Sequence, residues 1–487
     1  MKLNENTTIE GIRITPRVEN YSQWYLDIIA AADLAEYGPT KGSMIIKPYG
    51  YSLWEKIQGI LDGKFKDIGV QNVYFPMLIP EKLLKKEENH IEGFSPEVAV
   101  VTYAGGEKLE EALVLRPTSE TIIYETFAKW VQSHRDLPLL INQWVNVIRW
   151  ELRPRLFLRT TEFLWQEGHT AHSTSDEADL WARNILDIYT WFAEKIMAIP
   201  VILGTKTENE KFAGAFKTYC VEAMMQDGKA LQFATSHNLG QNFSKAFKIQ
   251  FSNENNQGDF VWQTSWGLST RTIGGLIMVH SDDNGLVLPP NIASIKVVII
   301  PIWDSEKTKN LVLNEATKLH DSLVVVYGNA SIVIDDRDVR PGQKHYHWEK
   351  KGIPVRIEIG PRDINNNTIV AVRRDTSIKT TFSTPTLLES LRKLFEDIQD
   401  NLYSKALEQQ NSKIIDVTNW EKFIENIEFG KFVRAYWDGT SETEKKIKEK
   451  TKATIRCIPF NLENVPEGMC VFSGKPAKSK VIFARSY

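Results

Sequence analysis

The chain has little cysteine. Cys220, Cys457 and Cys470 are three widely spaced thiols in 487 residues, an odd and scattered set that argues against a disulfide framework and suits a reducing compartment. Long apolar runs are missing as well: stretches such as Val297 to Ile302 are far too short to span a bilayer. The opening residues, Met1-Lys2-Leu3-Asn4-Glu5-Asn6-Thr7-Thr8, lack the apolar core of a signal peptide, so the expectation is a soluble cytoplasmic protein with no membrane partner. Charge of one sign is lacking too. The formal net charge is −3, which excludes a global basic field for nucleic acid and leaves RNA contact to local patches. No internal repeat or long low-complexity segment is visible. The composition is ordinarily globular, and the length predicts roughly two to four domains.

The most informative stretch runs from Ile148 to His169. Val145 to Leu152 and Phe157 to Gln166 read as two β-rich arms broken by Arg153-Pro154-Arg155. Guanidinium groups line both arms and the loop. Arginine forks match phosphate oxygens bidentately, Glu151 suits an exocyclic amine, and Phe163 offers a flat face to a base. Together they suit a nucleoside triphosphate, although an exposed, charge-laced hairpin would carry many of the same residues.

Around this stretch the chain alternates helix and strand. Residues 19 to 37 show helical spacing before Gly38-Pro39-Thr40; Leu53, Ile57, Ile60, Leu61 and Phe65 form one stripe of a longer helix, and Val70 to Phe75 reads as a strand. Val114 to Glu120 reads as a strand leading to a helix from Thr121 to Val131, which Thr118 or Ser119 could cap. Residues 177 to 197 form a core helix, Lys211 to Gln226 looks helical, and Leu231 to Thr235 returns to strand before a Ser236-His237 turn. Asn253 to Gly258 is a polar loop, Phe260 to Trp266 a β run, and Arg271 opens a helix in which Gly274 and Gly275 allow close packing. Leu288-Pro289-Pro290 marks a boundary. Beyond it Ile295 to Ile302, Leu323 to Tyr327, Ile332 to Asp335, Pro354 to Ile359 and Thr368 to Arg373 read as strands, with helices over Glu306 to Asp321 and Gly342 to Lys351. Thr384-Pro385 starts a long helix, and from about Ser404 the chain reads as helical and polar, with Lys445 to Lys452 a solvated charged face. Cys457 falls within the strand-like Thr454 to Phe460, where a buried apolar role is expected.

Arg149-x-Glu151, a loop, and Arg159-x-x-x-Phe163-x-x-x-Glu167 resemble the second signature motif of class II aminoacyl-tRNA synthetases. Arg116-Pro117-Thr118-Ser119-Glu120, Thr235-Ser236-His237-Asn238-Leu239-Gly240-Gln241-Asn242-Phe243 and Ser265-Trp266-Gly267-Leu268-Ser269-Thr270-Arg271-Thr272-Ile273-Gly274 resemble the prolyl-tRNA synthetases of the archaeal/eukaryotic-like type, nearly end to end. The resemblance implies an α/β multidomain protein. Its parts would be a class II catalytic domain with an antiparallel sheet over residues 1–290, an α/β anticodon-binding domain over 291–403, and a small α/β C-terminal domain over 404–487. The helix of Leu53 to Phe65, the strand Val70 to Phe75 and Pro76 resemble the first class II motif, so the resemblance implies a homodimer built through them that activates L-proline with ATP and Mg2+ and transfers it to the 3′ end of tRNA(Pro).

Residue by residue, the resemblance makes Arg149 and Arg271 catalytic. Thr118, Glu120, Arg149, Trp165, His237, Ser265 and Gly267 would meet proline. Arg149, Glu151, Arg159, Thr160, Phe163, Gln232, Thr235, Ser269 and Arg271 would meet ATP. Arg340, Lys344 and Glu358 would face the anticodon, a chemically apt set for reading unstacked bases, and Tyr487 would turn toward the catalytic site. No editing domain fits between Glu167 and Ser265. The chain departs from the pattern at the C-terminal zinc site of many relatives: Asp438, Thr443 and Ser473 stand where cysteines are expected and only Cys470 remains, so no structural zinc is expected and these side chains should hydrogen-bond instead. Competing readings are a synthetase for another amino acid, a non-catalytic RNA-binding relative, and a generic ATP-dependent ligase for a small acid.

Overall fold

A computed structural model describes residues 11–84, 98–151, 153–462 and 468–487. The opening residues 1–8 and Leu152 of the first arm lie outside them. The frame is one eleven-stranded sheet. In chain order its strands are β1 (Gln71–Asn72), β2 (Leu139–Ile148), β3 (Glu162–His172), β4 (Val201–Thr205), β5 (Lys217–Met224), β6 (Ala230–Gly240), β7 (Trp262–Ser269), β8 (Ile414–Asp416), β9 (Phe432–Trp437), β10 (Thr454–Pro459) and β11 (Ser479–Ala484). In space they run β8-β9-β11-β10-β4-β5-β6-β7-β3-β2-β1, antiparallel except at β8-β9 and β1-β2.

Two helices cover one face of the central strands. The helix Pro48–Asp67 begins with proline at its first turn, where a missing N–H costs nothing, and buries Leu53, Ile57, Leu61 and Phe65 at i, i+4 spacing. Burying each such side chain contributes about 1.5–3 kcal/mol. Phe65 meets the Trp266 ring at 6.2 Å and Tyr189 at 6.3 Å. The second helix, Ser175–Trp191, starts at a capping box between Thr174 and Glu177 and continues as a π turn, Phe192–Ile196. Its Ala182 carbonyl accepts from Ser236 Oγ of β6 at 2.8 Å, and Trp181 lies 6.1 Å from Trp266.

Several local expectations give way to tertiary pairing. The first helix spans only Tyr21–Ala31, because Asp33 adopts a positive φ of 61° and Ala35–Tyr37 pairs with Met44–Ile46. Of Val70 to Phe75, only Gln71–Asn72 pairs, alongside β2. The strand expected at Val114 to Glu120 is Glu107–Leu115, with Glu120 already the first helical residue of Glu120–Trp130. Lys211 to Gln226 is not helical: it ends in β5, an interior strand buried on both faces, whose unbroken burial erases the period-two signal that separates strand from helix. Ser236-His237 is mid-strand in β6, not a turn. The hairpin arms are β2 and β3, so Arg149 to Thr161 is a longer connection than Arg153-Pro154-Arg155 alone.

Val297–Pro301, Ile332–Ile334, Val355–Ile359, Thr368–Arg373 and Lys379–Ser383 form a separate mixed five-stranded sheet. Leu323 to Tyr327 is not one of its strands. That β-branched run completes the helix Glu306–Tyr327, which stops at Gly328 with φ 84°. The helix Leu387–Lys413 leads back to the long sheet, so the segment after Ser404 is α/β and not simply helical. Strand β10 pairs with β4 at Ile458↔Thr205 and Pro459↔Gly204, which makes the C-terminal strands an extension of the central sheet. Among the described residues no helix is long and apolar enough to cross a membrane.

At the C-terminal edge Asp438 Oδ2 accepts from Thr443 Oγ1 and from Ser473 Oγ, both at 2.7 Å, and Oδ1 accepts from Thr440 N at 3.0 Å and Oγ1 at 2.8 Å. Cys470 Sγ accepts from Ser473 N at 3.5 Å. One thiol, one carboxylate and two hydroxyls already bonded to that carboxylate do not fit a tetrahedral zinc, which takes thiolate, imidazole or free carboxylate. Burial pushes the Asp438 carboxyl up, yet the bonds from Ser473, Thr443 and Thr440 outweigh it and hold the group below its ordinary value. Its contribution is therefore complete above the ordinary aspartate range and lost as pH falls through the lowered folded value. Asp438→Ala should destabilise the fold by about 2–4 kcal/mol at neutral pH, since it strips a charged acceptor from buried hydroxyls. Denaturant unfolding checks it; a loss below about 0.5 kcal/mol, the level of a neutral surface change, would show the cluster to be incidental.

Candidate active site

Successive side chains of a strand point to opposite faces, and β3 uses this fully. Phe163, Trp165, Glu167 and His169 line one cleft, while Gly168 on the other face lies under the Trp266 indole. Register extends the pattern sideways: His169, Ser265 and His237 stand opposite one another across β3, β7 and β6, as do Glu167, Gly267 and Thr235. The cleft has about 240 Å³ of room and takes its remaining wall from Thr118, Glu120, Arg149, Gln232, Ser269 and Arg271, and from Glu210, Lys211, Phe212 and Thr218.

One end is acidic. Glu120 and Glu167 are 4% and 2% exposed. Thr118 Oγ1 donates to Glu120 Oε2, and Ser119 Oγ donates to Glu167 Oε1, so neither hydroxyl caps the following helix. Gln143 Nε2 donates to Glu167 at 2.6 Å, His169 Nε2 lies 3.2 Å from Glu167 Oε2, and Tyr124 OH lies 3.1 Å from His169 Nδ1. Burial raises both carboxyls, but the bonds from His169, Ser119 and Gln143 bring Glu167 below its ordinary value, whereas burial and the Glu167 charge leave Glu120 raised. The same burial thus leaves the two carboxyls shifted in opposite directions. Beside them burial and the nearby His169 push His237 down to about 3, which keeps it neutral. Thr218 Oγ1 lies 2.9 Å from its Nδ1.

The other end is cationic. Arg149 Nε donates to the Pro117 carbonyl at 2.9 Å, and Arg271 Nε donates to the Leu158 carbonyl at 3.0 Å. Each guanidinium is thus gripped at one corner, with its remaining N–H groups available to a ligand. Arg149 lies 5.5 Å from the Phe163 ring centroid and 5.3 Å from that of Trp165. Burial, followed by repulsion from Arg149 and Arg159, lowers Arg271 to about 10. Convergent guanidiniums with N–H groups turned into one cleft make a site for a polyanion.

Of the residues expected to touch substrate, Thr118, Glu120, Arg149, Phe163, Trp165, Gln232, Thr235, His237, Ser265, Gly267, Ser269 and Arg271 line this cleft. Glu151 and Arg159 stand outside it as a 3.8 Å ion pair, and Thr160 is buried with its hydroxyl on the Glu162 carbonyl at 2.7 Å. Tyr487 does not line the cleft: its hydroxyl donates to Asp227 Oδ2 at 2.5 Å, and its ring lies 5.5 Å from the Arg155 guanidinium. In the five-stranded domain Arg340 is exposed beside Trp303 and Lys344, but Lys344 is buried, donating to the Asp335 carbonyl at 2.8 Å. Glu358 is engaged by Arg356, His345 and Lys379 at 3.0, 3.3 and 3.3 Å. The expectations above assign no contact to Glu167, His169, Glu210, Lys211, Phe212 or Thr218. The alternation Phe163-x-Trp165-x-Glu167-x-His169 carries the first two, while a helical reading of Lys211 to Gln226 hides the others.

Residues 103–280 match the tRNA synthetase class II core domain (G, H, P, S and T), 296–394 the anticodon binding domain, and 420–487 the prolyl-tRNA synthetase C-terminal family. The chain is 52% identical over 496 residues to a proline–tRNA ligase of Phocaeicola vulgatus, covering 98% of this chain and 100% of that one. It is 53% identical over 489 residues to a proline–tRNA ligase of Porphyromonas gingivalis strain W83, covering 97% and 99%. With a proline–tRNA ligase of Chlorobaculum tepidum it shares 54% over 482 residues, covering 98% and 99%.

Gly267 offers a clean test of the cleft. A Cβ built there would meet nothing nearer than the Gln166 carbonyl oxygen at 3.4 Å, an ordinary contact, yet the methyl would stand on the cleft face. Gly267→Ala should fold with a Tm within about 2 °C of the parent while kcat/KM for the substrate of the cleft falls roughly tenfold or more. Thermal melts beside steady-state kinetics check both; unchanged kinetics would place substrate elsewhere.

Proposed function

The chain belongs to the proline–tRNA ligase family of class II aminoacyl-tRNA synthetases, and from that premise we propose how its own residues carry the reaction. The enzyme activates L-proline with ATP to prolyl-adenylate and transfers it to the 3′ end of tRNA(Pro). The observation that carries the residue assignment is the polarity of one cleft, with carboxylates at one end and gripped guanidiniums at the other. Proline brings an ammonium and a carboxylate, and ATP, entering as its magnesium complex, brings the polyanion.

In this reading Glu120 and Thr118 receive the secondary ammonium, with Trp165, His237, Ser265 and Gly267 walling the proline ring. Phe163 stacks adenine, Arg271 clamps its other face, and Gln232, Thr235 and Ser269 line the nucleotide. The proline carboxylate, ionised near neutral pH, needs no general base. Its oxygen attacks the α-phosphorus as the bond to the pyrophosphate leaving group breaks, and Arg149 and Arg271 neutralise the charge of that transition state. Glu151 would read adenine, Arg159 would tend the distal phosphates, and Thr160 would stand beside the nucleotide.

We place the catalytic domain at 1–290, the anticodon-binding domain at 291–403 and the C-terminal domain at 404–487, with Arg340, Lys344 and Glu358 on the anticodon side. Residues 168–264 are occupied by β4, β5, β6 and their connections, which supports the archaeal/eukaryotic-like type without an inserted editing domain. A homodimer in the cytoplasm is the expected state, and exposed Tyr74 and Leu78 are candidates for the surface facing the second copy. The Asp438 cluster supports a C-terminal domain held without zinc.

Proline-dependent pyrophosphate exchange, followed by charging of total tRNA, tests the whole reading. Arg149→Ala should lower exchange by about 10²-fold to 10³-fold with the fold intact, the order expected for a preorganised transition-state contact. Activity within a few-fold of the parent would sink the assignment. The pH dependence tests Glu120. As pH falls through its raised pKa the carboxyl gains a proton and loses its attraction for an ammonium, so the KM for proline should climb already above the ordinary glutamate range. Glu120→Gln should flatten that slope at a uniformly higher KM. A parent-like slope in the variant would assign the titration to another group.

A further inference from the structure

We propose that Glu444, on the C-terminal helix Ser441–Thr451, is a positioning residue for the proline side of the cleft, acting through the loop at 206–216. This rests on the reading of that cleft as the proline site. Glu444 is 4% exposed, and both its oxygens serve the loop: Oε1 accepts from Thr207 Oγ1 and Oε2 from Asn209 Nδ2, each at 2.8 Å. One turn further along, Lys448 pairs with the cleft-lining Glu210 at 3.3 Å.

The far end of the loop is tied to the cleft. The Thr207 carbonyl accepts from Glu210 N at 3.1 Å and from Lys211 N at 2.9 Å, so a shift of Thr207 moves both cleft-lining residues. Phe212 N donates to Thr218 Oγ1 at 3.0 Å, and the same Oγ1 lies 2.9 Å from His237 Nδ1. The Phe212 ring lies 4.8 Å from the imidazole. A buried carboxylate from the C-terminal domain thus stands at the start of a hydrogen-bonded path that ends on His237.

Attachment of the C-terminal strands does not require this residue. Strand pairing of β10 with β4 and the buried Lys206–Glu222–Arg456 group already join the two parts. What Glu444 adds is the geometry of the loop, and an active-site wall displaced by an ångström costs rate without costing fold.

The test uses the full chain and variants E444A, E444Q, T207V and E444A/T207V, with the KM for proline and for ATP measured separately in pyrophosphate exchange. E444A and T207V should each raise the KM for proline roughly 10-fold to 100-fold and leave that for ATP within about twofold. The double variant should be no worse than E444A, because both changes cut one path. E444Q keeps an acceptor for Thr207 and should stay closer to the parent than to E444A. Should E444A fail to fold, T207V carries the same expectation from within the catalytic part. A parent with exchange activity whose T207V variant has unchanged kinetics overturns the proposal alone, as does parallel loss of both substrates' KM together with Tm. A parent without proline-dependent exchange overturns the reading of the cleft as well.

Discussion

The structure depends most on the register of β3. Its residues alternate between a solvent-facing cleft and a packed interior, and a slip of one position would exchange Glu167 and His169 for Gln166 and Gly168. The interior side holds that register. A Cβ at Gly168 would stand 2.0 Å from the Trp266 indole, so the strand accepts only glycine there while Trp266 lies flat against it. Trp266 is in turn held by Phe65 and Trp181, from the two helices that cover this face. Core packing on one side therefore fixes which functional groups appear on the other, and β2 and β7 follow through the row Gln143, Glu167 and Gly267.

Within the cleft, burial does opposite things to like groups. Glu120 and Glu167 are buried close together, where two ionised carboxylates repel strongly. Hydrogen bonds resolve the conflict: Glu167 receives Ser119, Gln143 and His169 and keeps its charge, while Glu120, bonded by Thr118, is left raised and open to a cation. At the guanidinium end carbonyls of Pro117 and Leu158 orient the forks, while Glu120, Glu167 and Glu151 favour the charged form of Arg149 against its burial. Both ends are thus preorganised for charges that only substrate supplies.

How far the sequence reveals this follows from the kind of signal each part carries. The stripe Leu53, Ile57, Leu61 and Phe65 is an amphipathic pattern that survives in the fold, and Arg271 opens a helix as expected, although nearly all of that helix is buried. The interior strand β5 carries no alternation, because both of its faces are buried, and its apolar run is indistinguishable by period from a helix. The Val324-Val325-Val326 run favours strand locally, yet it forms the last turn of a helix that buries Leu323 and leaves Val325 and Val326 exposed. In the site, the rare motifs bring most of the cleft together, whereas the neighbours that Lys344 and Tyr487 meet in the fold are not written in their motifs. Lys344 is buried on the Asp335 carbonyl, and Tyr487 is bound to Asp227.

The same long sheet also explains why the C-terminal part bears on the cleft at all. Lys206, Glu222 and Arg456 form a group whose side chains are 2%, 0% and 8% exposed, with Lys206 donating both to Glu222 and to the Arg456 carbonyl. A buried ion group of this kind adds little net stability over an apolar substitute, since desolvation offsets the attraction, but it tolerates very few alternative alignments. Its three members come from the segment after β4, from β5 and from β10, so it fixes how the C-terminal strands meet the central ones. Cys220 and Cys457 sit at this junction as packed thiols, with Cys220 Sγ donating to the Gly204 carbonyl at 3.5 Å. Lys206 is also the residue before Thr207, where the cleft-lining loop begins. The group that aligns β10 on the sheet therefore adjoins the loop that lines the cleft, although among the described residues the C-terminal strands and helix add no side chain to the cleft itself.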